Sequence, residues 1–328
     1  MRAAMARAVV GDDVLDDDPT IHELQDKAAA LLGMEAALFM PSGTMSNLVA
    51  MKVHTSPGDE ILLDCNSHTM LYEVGGAAAI AQVLTRQFCT GDGVPDLDQL
   101  TNLVSEQTLH SPRTALLMLE NSHNRAGGIV IPLEVHTAIH DEFSERGVPI
   151  HLDGARLFNA ATALGVPASV ICKSVDSVTF CLSKGLGCPV GSVLCGRRGF
   201  ISQARRVRKM LGGGMRQAGI LAAAGIYALD HNIDRLHIDH SNARRMASAL
   251  AGCPGINGSS ETPHTNMVYL NTVAAADAIV ERARSRFGVL VSQMGAHVLR
   301  AVTHMDVDSG QIDHAANVIR TVCAELNA

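Results

Sequence analysis

Residues 179–187 read Thr-Phe-Cys-Leu-Ser-Lys-Gly-Leu-Gly, "TFCLSKGLG". The run from 177 to 182 has the apolar character of a buried strand. It ends against Lys184, which sits between Ser183 and Gly185. Lysine is almost never fully buried without a partner, and glycine beside it lets the backbone turn sharply or approach a ligand closely. Two readings follow: a surface lysine at a strand end, or a lysine held in a pocket to form a Schiff base.

Further short apolar runs lie on either side, at 37–40, 61–63, 116–119, 150–152 and 192–195. Helical patterns lie between several of them, as at 45–53 and 133–146. Strands alternating with helices predict an α/β, three-layer domain with a mostly parallel sheet covered on both faces. In such sheets ligands bind beyond the carboxyl ends of the strands. From about Ile220 through Ala251 the pattern turns into long helices, followed by a short strand at 267–270 and a terminal helix at 311–326. The expected division is a large domain over 1–235 and a smaller α+β domain over 236–328, with the first residues packing on the smaller one. No Pro- or Ser-rich linker marks the boundary.

Hydrophobic residues are 47% and charged residues 18% of the 328-residue chain, so a sizeable core is expected. Aromatics are 3% and Trp is absent, which leaves Ala, Val, Leu, Ile and Met to build that core. A net charge of -7 argues against a nucleic-acid partner, and the one basic cluster, 205–209, is short. The eight cysteines form no C-x-x-C pair and read as reduced thiols of a cytoplasmic protein, with no metal site. The fifteen histidines fall in no H-E-x-x-H pattern. Residues 1–10 lack the apolar core of a signal peptide, and the longest apolar stretch, 218–229, is too short to cross a bilayer.

The predicted strands end in polar residues. Pro41-Ser-Gly-Thr44 opens a helix. Such a turn presents free N–H groups suited to a phosphate, or is plain N-capping by Ser42 or Thr44. Glu120-Asn-Ser-His-Asn124 follows one strand and Asp153-Gly-Ala-Arg156 another. The second is either a turn with a surface ion pair or two groups facing one cleft. A phosphate cradle, a strand-end aspartate and a glycine-flanked lysine together match the needs of pyridoxal 5′-phosphate: N–H donors for its phosphate, a carboxylate for its ring nitrogen, an amine for its aldehyde. Asp153 about 4 Å from a pyridinium N–H would gain on the order of 4 kcal/mol at an effective dielectric near 20. That is roughly three pKa units, enough to keep the ring nitrogen protonated and the ring an electron acceptor.

The strings "GDDV" with "DDPT", "EAALFMPSGTMSN", "LENSHNRAGG", "HLDGARLFNA", "CLSKGLGCPVGS", "RKMLGGGMRQAGILAAAGIYAL" and "VTHMDV" resemble the low-specificity L-threonine aldolases. These are pyridoxal 5′-phosphate enzymes of the aspartate-aminotransferase-like fold, usually homotetramers. The resemblance covers essentially the whole chain. It implies that Lys184 carries the cofactor, that Asp153 binds the pyridine nitrogen, and that Gly43 and Thr44 hold the phosphate. Arg216 would reach that phosphate from a neighbouring subunit. His68 would stack on the ring, and His123 would contact the substrate hydroxyl. Arg156 and Arg300 would clamp the substrate carboxylate, and Lys209 would line the cleft.

The family's opening Asp-Leu-Arg-Ser-Asp-Thr-Val-Thr segment, whose serine contacts the substrate carboxylate, has no counterpart here, and weakened substrate binding is expected. Leu15-Asp16 stands where the family has Tyr-Gly, and Met70 stands where an aromatic is frequent. The resemblance implies retro-aldol cleavage of L-threonine, L-allo-threonine and related β-hydroxy-α-amino acids to glycine and an aldehyde, with His68, directly or through water, as the base. The alternatives are a β-eliminating lyase or amino-acid racemase on the same fold, or a homologue that binds the cofactor without catalysis.

Overall fold

Runs of apolar residues pair into one seven-stranded sheet: β1 (Ala36–Met40), β2 (Glu60–Asp64), β3 (Leu84–Phe88), β4 (Thr114–Glu120), β5 (Ile150–Asp153), β6 (Ser177–Cys181) and β7 (Ser192–Gly196). The computed structural model describes residues 1–259 and 262–327. The strand order is β1-β7-β6-β5-β4-β2-β3. The strands from β6 through β3 are parallel, and β7 runs antiparallel to both of its neighbours. Every residue of β2, β4, β5, β6 and β7 is buried. That requires cover on both faces of the sheet, and it is why these strands read as unbroken apolar runs.

The helices of this part are α1 (Arg2–Ala6), α2 (Pro19–Leu32), α3 (Gly43–His54), α4 (His68–Tyr72), α5 (Leu97–Leu103), α6 (Leu133–Glu145), α7 (Leu157–Leu164), α8 (Ala168–Cys172), α9 (Arg198–Met210) and α10 (Gly219–His231). Their ends follow local rules. In α2 the Asp18 side chain accepts from Thr20 N and Ile21 N, Pro19 takes the first position, and Gly33 closes the helix at φ +66°. Helix α3 lies across the sheet. Its Val49 and Ala50 pack with Leu38, Met40 and Leu194, while Met51 packs with Ile61, Leu63 and Leu116.

Residues 1–126 and 130–234 form one compact unit; residues 127–129 and 235 onward form a second. The second unit holds α11 (Leu236–Leu250), β8 (Ile256–Ser259), β9 (Met267–Thr272), α12 (Ala276–Phe287), β10 (Ser292–Gly295), β11 (Val298–Val302) and α13 (Ser309–Leu326). Its antiparallel sheet has the order β10-β11-β9-β8. Val268, Leu270, Leu299, Ile279 and Ile319 lie in its core. A capping box between Asp308 and Gln311 starts α13. Among the described residues no helix is long and apolar enough to cross a membrane.

Helix α1 packs against α10 within the first unit. Strands β3, β8, β10 and β11 were not legible as apolar runs. In β3, at one edge of the sheet, only Phe88 is buried. Finally, the eight cysteines are not all free: Cys65 and Cys89 form a disulfide with a Cα–Cα distance of 5.3 Å. The parallel pairing of Asp64 with Phe88 sets the next residue of each strand side by side, within the usual span of a disulfide. The other six cysteines are free and buried.

Candidate active site

The parallel register aligns the polar strand ends. Glu120 is paired with Asp153, and Asp153 with Thr179, so β4 and β5 finish at one level and β6 runs two residues further, to Cys181. Gly154 then turns the chain against β6, donating its N–H to the Thr179 carbonyl at 2.9 Å. After β6 the chain passes through Leu182 and Ser183 to a half-buried Lys184. The Lys184 carbonyl accepts from Gly187 N at 2.9 Å, with Gly187 at φ +73°, a turn that favours glycine.

Lys184 and Asp153 line one cavity of about 300 Å³, together with Ser42, Gly43, Thr44, Asn47, His68 and Glu73. Ser42 is the N-cap of α3, accepting from Met45 N, so capping and an open helix end occur together. The cap takes Met45 N, and the Gly43 and Thr44 amides remain in the first turn, where no intrahelical acceptor exists. A Cβ on Gly43 would stand 2.9 Å from Cys181 Sγ, so glycine lets this turn lie close against the end of β6.

Asp153 is 5% exposed. Its Oδ2 accepts from Asn47 Nδ2 at 2.8 Å and its Oδ1 from Ala155 N at 3.0 Å. Asn47 also donates to Glu73 Oε1 at 2.8 Å, which in turn lies 2.9 Å from His68 Nδ1. The Asn47 amide is oriented from behind. His151 Nε2 lies 3.2 Å from Asn47 Oδ1, His151 Nδ1 lies 2.8 Å from Ser177 Oγ, and Ser177 Oγ lies 2.7 Å from His54 Nε2. Burial pushes His151 down to about 3 and His54 to about 4, so both rings are neutral. A neutral His151 that donates from Nε2 leaves Asn47 Oδ1 as the acceptor and Nδ2 as the donor toward both carboxylates.

The Glu73 carboxylate raises His68 against the opposing effect of burial, with Asp153 adding to the rise. Burial raises Glu73, and Asp153 reinforces it. The hydrogen bond from His68 opposes the rise in Glu73. The backbone of His68 is tied separately: its N–H donates to Glu120 Oε2 at 2.6 Å, while Glu120 Oε1 accepts from Asn124 N at 2.8 Å. Burial raises the Glu120 carboxyl, and Asp153 adds to this.

His123 is buried but does not line the Lys184 cavity. Its Nδ1 accepts from Ala126 N at 3.2 Å, and its Nε2 lies 3.6 Å from Asp64 Oδ1. Burial opposes protonation of this ring, but the Asp64, Glu120 and Asp153 carboxylates outweigh it and raise its pKa. Arg156, half-buried, caps α7 three residues after Asp153. Arg300 lies on β11 in the second unit. Arg216 is 63% exposed at its side chain and pairs with Asp12 at 2.5 Å. Lys209 is exposed on α9 and lines a separate cavity of about 600 Å³ with Arg205, Arg206 and Arg208. In that basic cluster Arg208 pairs with the buried Asp13 and Arg205 with Asp16, so part of its charge is neutralised within the chain.

Sequence reasoning missed Asn47, Glu73 and Glu120 as members of the site. Glu120 closes an apolar run, as Asp153 does, and that was the available signal. Asn47 lies within a helical pattern and Glu73 just beyond α4, and nothing local separates them from surface polar residues.

Residues 1–273 match the model of the beta-eliminating lyase family. The low specificity L-threonine aldolase of Escherichia coli (strain K12) is 44% identical over 320 residues, covering 96% of this chain and 93% of that protein. Low-specificity L-threonine aldolase 1 of Arabidopsis thaliana is 39% identical, covering 96% and 90%. The solved structure of Leishmania major threonine aldolase superposes with a TM-score of 0.80 at 18% identity, over 93% of this chain and 90% of that one. At that identity the superposition speaks for the fold alone.

Proposed function

Since this chain belongs to the beta-eliminating lyase family, among its low-specificity L-threonine aldolases, we propose that it is a pyridoxal 5′-phosphate-dependent aldehyde-lyase. It cleaves L-threonine, L-allo-threonine and related β-hydroxy-α-amino acids to glycine and an aldehyde. The observation that carries this reading is one cavity lined by Lys184, Asp153, His68 and the first turn of α3.

The residues fit the cofactor. An amine, a buried carboxylate and a helix N-terminus that has no room for a Cβ at Gly43 share the same space. When bound, pyridoxal 5′-phosphate supplies an aldehyde that takes an amine and a ring that accepts electrons from a bond broken at the substrate Cα. Lys184 would hold it covalently at rest. Asp153, kept in place by Asn47 and Ala155 N, would face the ring nitrogen. Gly43 and Thr44 amides at the positive end of α3 would take the phosphate.

His68 would lie against the ring and take the β-hydroxyl proton. Arg156 would hold the substrate carboxylate through paired N–H donors. For His123 the proposed contact with the substrate hydroxyl is as a donor, because Ala126 N already occupies Nδ1. Roles for Arg300 and Lys209, and for Arg216 acting on a neighbouring subunit's phosphate, rest on the family resemblance. So do a homotetramer with shared sites and a cytoplasmic setting.

The purified protein with pyridoxal 5′-phosphate and L-threonine is expected to release glycine and acetaldehyde in equal amounts. Borohydride reduction should place the pyridoxyl group on Lys184, and Lys184→Ala should abolish both results. A label on Lys209 or Lys173 would refute the lysine assignment. Turnover without acetaldehyde would favour β-elimination or racemisation instead.

A further inference from the structure

Glu73 has no role in the reading above, yet it lines the same cavity as Lys184 and is 3% exposed. Its Oε1 lies 2.9 Å from His68 Nδ1 and accepts from Asn47 Nδ2 at 2.8 Å. A carboxylate only accepts, so a neutral His68 at this distance must carry its proton on Nδ1. The opposite tautomer would set two lone pairs against each other.

We propose that Glu73 is a positioning residue for His68, fixing the ring proton on Nδ1 and leaving Nε2 as the nitrogen that takes the substrate proton. The proposal rests on the reading that His68 is the base of the cleavage.

Several features show that the contact is built rather than incidental. Asn47 holds Glu73 with the same Nδ2 that holds Asp153, and its amide is oriented by the His151, Ser177 and His54 chain. Glu73 therefore cannot swing away from His68 without also losing its bond to Asn47. Its second oxygen, Oε2, is buried with no hydrogen-bond partner, an arrangement that costs stability. The next residue, Val74, is 96% exposed and adopts φ +55°, a region that β-branched residues avoid. Local strain of this kind concentrates where geometry serves a function.

The charged groups acting on the pair are few. Asp153 and Lys184 act on His68, and Asp153 acts on Glu73. Glu120 holds the His68 backbone N–H. Asp153 and Lys184 push His68 in opposite directions, and among the described residues Glu73 is the charged group bonded to its ring.

The test compares wild type with Glu73→Gln as holoenzymes, using ¹⁵N-histidine NMR with His68→Gln to assign the signal. In wild type the neutral ring should show the Nδ1–H tautomer. In Glu73→Gln the titration midpoint of His68 should fall by about one pH unit or more, the usual effect of losing an opposite charge in contact. The acidic limb of kcat/KM should move by the same amount to lower pH, because the neutral base then persists in more acid solution. Retained cofactor absorbance and an unchanged thermal midpoint would show that the fold is intact. If the Gln variant does not fold, Glu73→Asp keeps the charge on a shorter arm and should lower the midpoint by less. An Nε2–H tautomer in wild type, or an unmoved His68 midpoint in the folded variant, overturns the proposal. A moved midpoint in a protein that releases no aldehyde sustains Glu73 as the partner of His68 and sinks the threonine-cleavage reading instead.

Discussion

Gly154 joins Asp153 to the turn that leads toward α7. A Cβ there would stand 2.7 Å from the Thr179 carbonyl oxygen and 3.0 Å from Leu157 Cβ. The first of these is backbone of a central strand and has no room to give. Gly154→Ala is expected to cost about 1–3 kcal/mol, the usual penalty for overpacking, and to weaken cofactor retention because Asp153 is its neighbour. Urea unfolding and equilibrium dialysis against pyridoxal 5′-phosphate measure the two effects. A variant within about 0.5 kcal/mol of wild type, the range of neutral surface changes, would show that the turn yields. The opposite case is Asp16. The residue adopts φ +63°, which Asp tolerates better than most side chains. Its carboxylate accepts from Arg205 and pairs with His22.

The link between β2 and α4 is the element on which His68 depends. Ser67 caps α4 by accepting from Met70 N, and Asp64 accepts from Thr90 N at 3.0 Å and Thr90 Oγ at 2.6 Å. The Cys65–Cys89 disulfide lies between these contacts, with a sequence separation of 24. Alkylation of the unfolded protein without a reductant should label six of the eight cysteines, and all eight after reduction. Eight labelled without reduction would refute the bond. Closing a loop of this length stabilises by about 3.5 kcal/mol in the chain-entropy account, so reduction should lower the unfolding midpoint by a corresponding amount.

Across the whole molecule, buried neutral histidines set the acid sensitivity. Burial pushes His54, His136 and His240 to about 4 and His151 to about 3, against an ordinary value near 6.5. Between the ordinary and the folded values the unfolded chain binds more protons than the native one, so stability falls as pH falls. His68 and His123 are raised instead. Their stabilisation is complete below about pH 6.5 and is lost only as pH rises through their folded values. From pH 6.5 to 5 each of the four depressed groups should therefore remove up to about 2 kcal/mol. Unfolding free energies measured at those two pH values check this, and stability that rises on acidification would contradict it.

Local chemistry was enough for the strands that carry the site. Runs such as Leu116–Leu119 and 178–182 are apolar on both faces because a covered parallel sheet demands it, and that demand is visible in one dimension. The same holds for Lys184, Asp153 and the Pro41–Thr44 turn, which stand where an apolar run stops. The edge strand β3 was hidden because most of its residues are left exposed, so it carries no continuous apolar pattern. The partnership of Asn47 with Asp153 joins residues 106 positions apart, and that of Cys65 with Cys89 joins residues 24 apart. Neither distance leaves a mark in the sequence. Strand register sets Cys65 beside Cys89 and Glu120 beside Asp153, and the packing of α3 over the sheet turns Asn47 toward Asp153 and Glu73. Those contacts exist only once the strands have chosen their neighbours, which is why tertiary structure alone decided them.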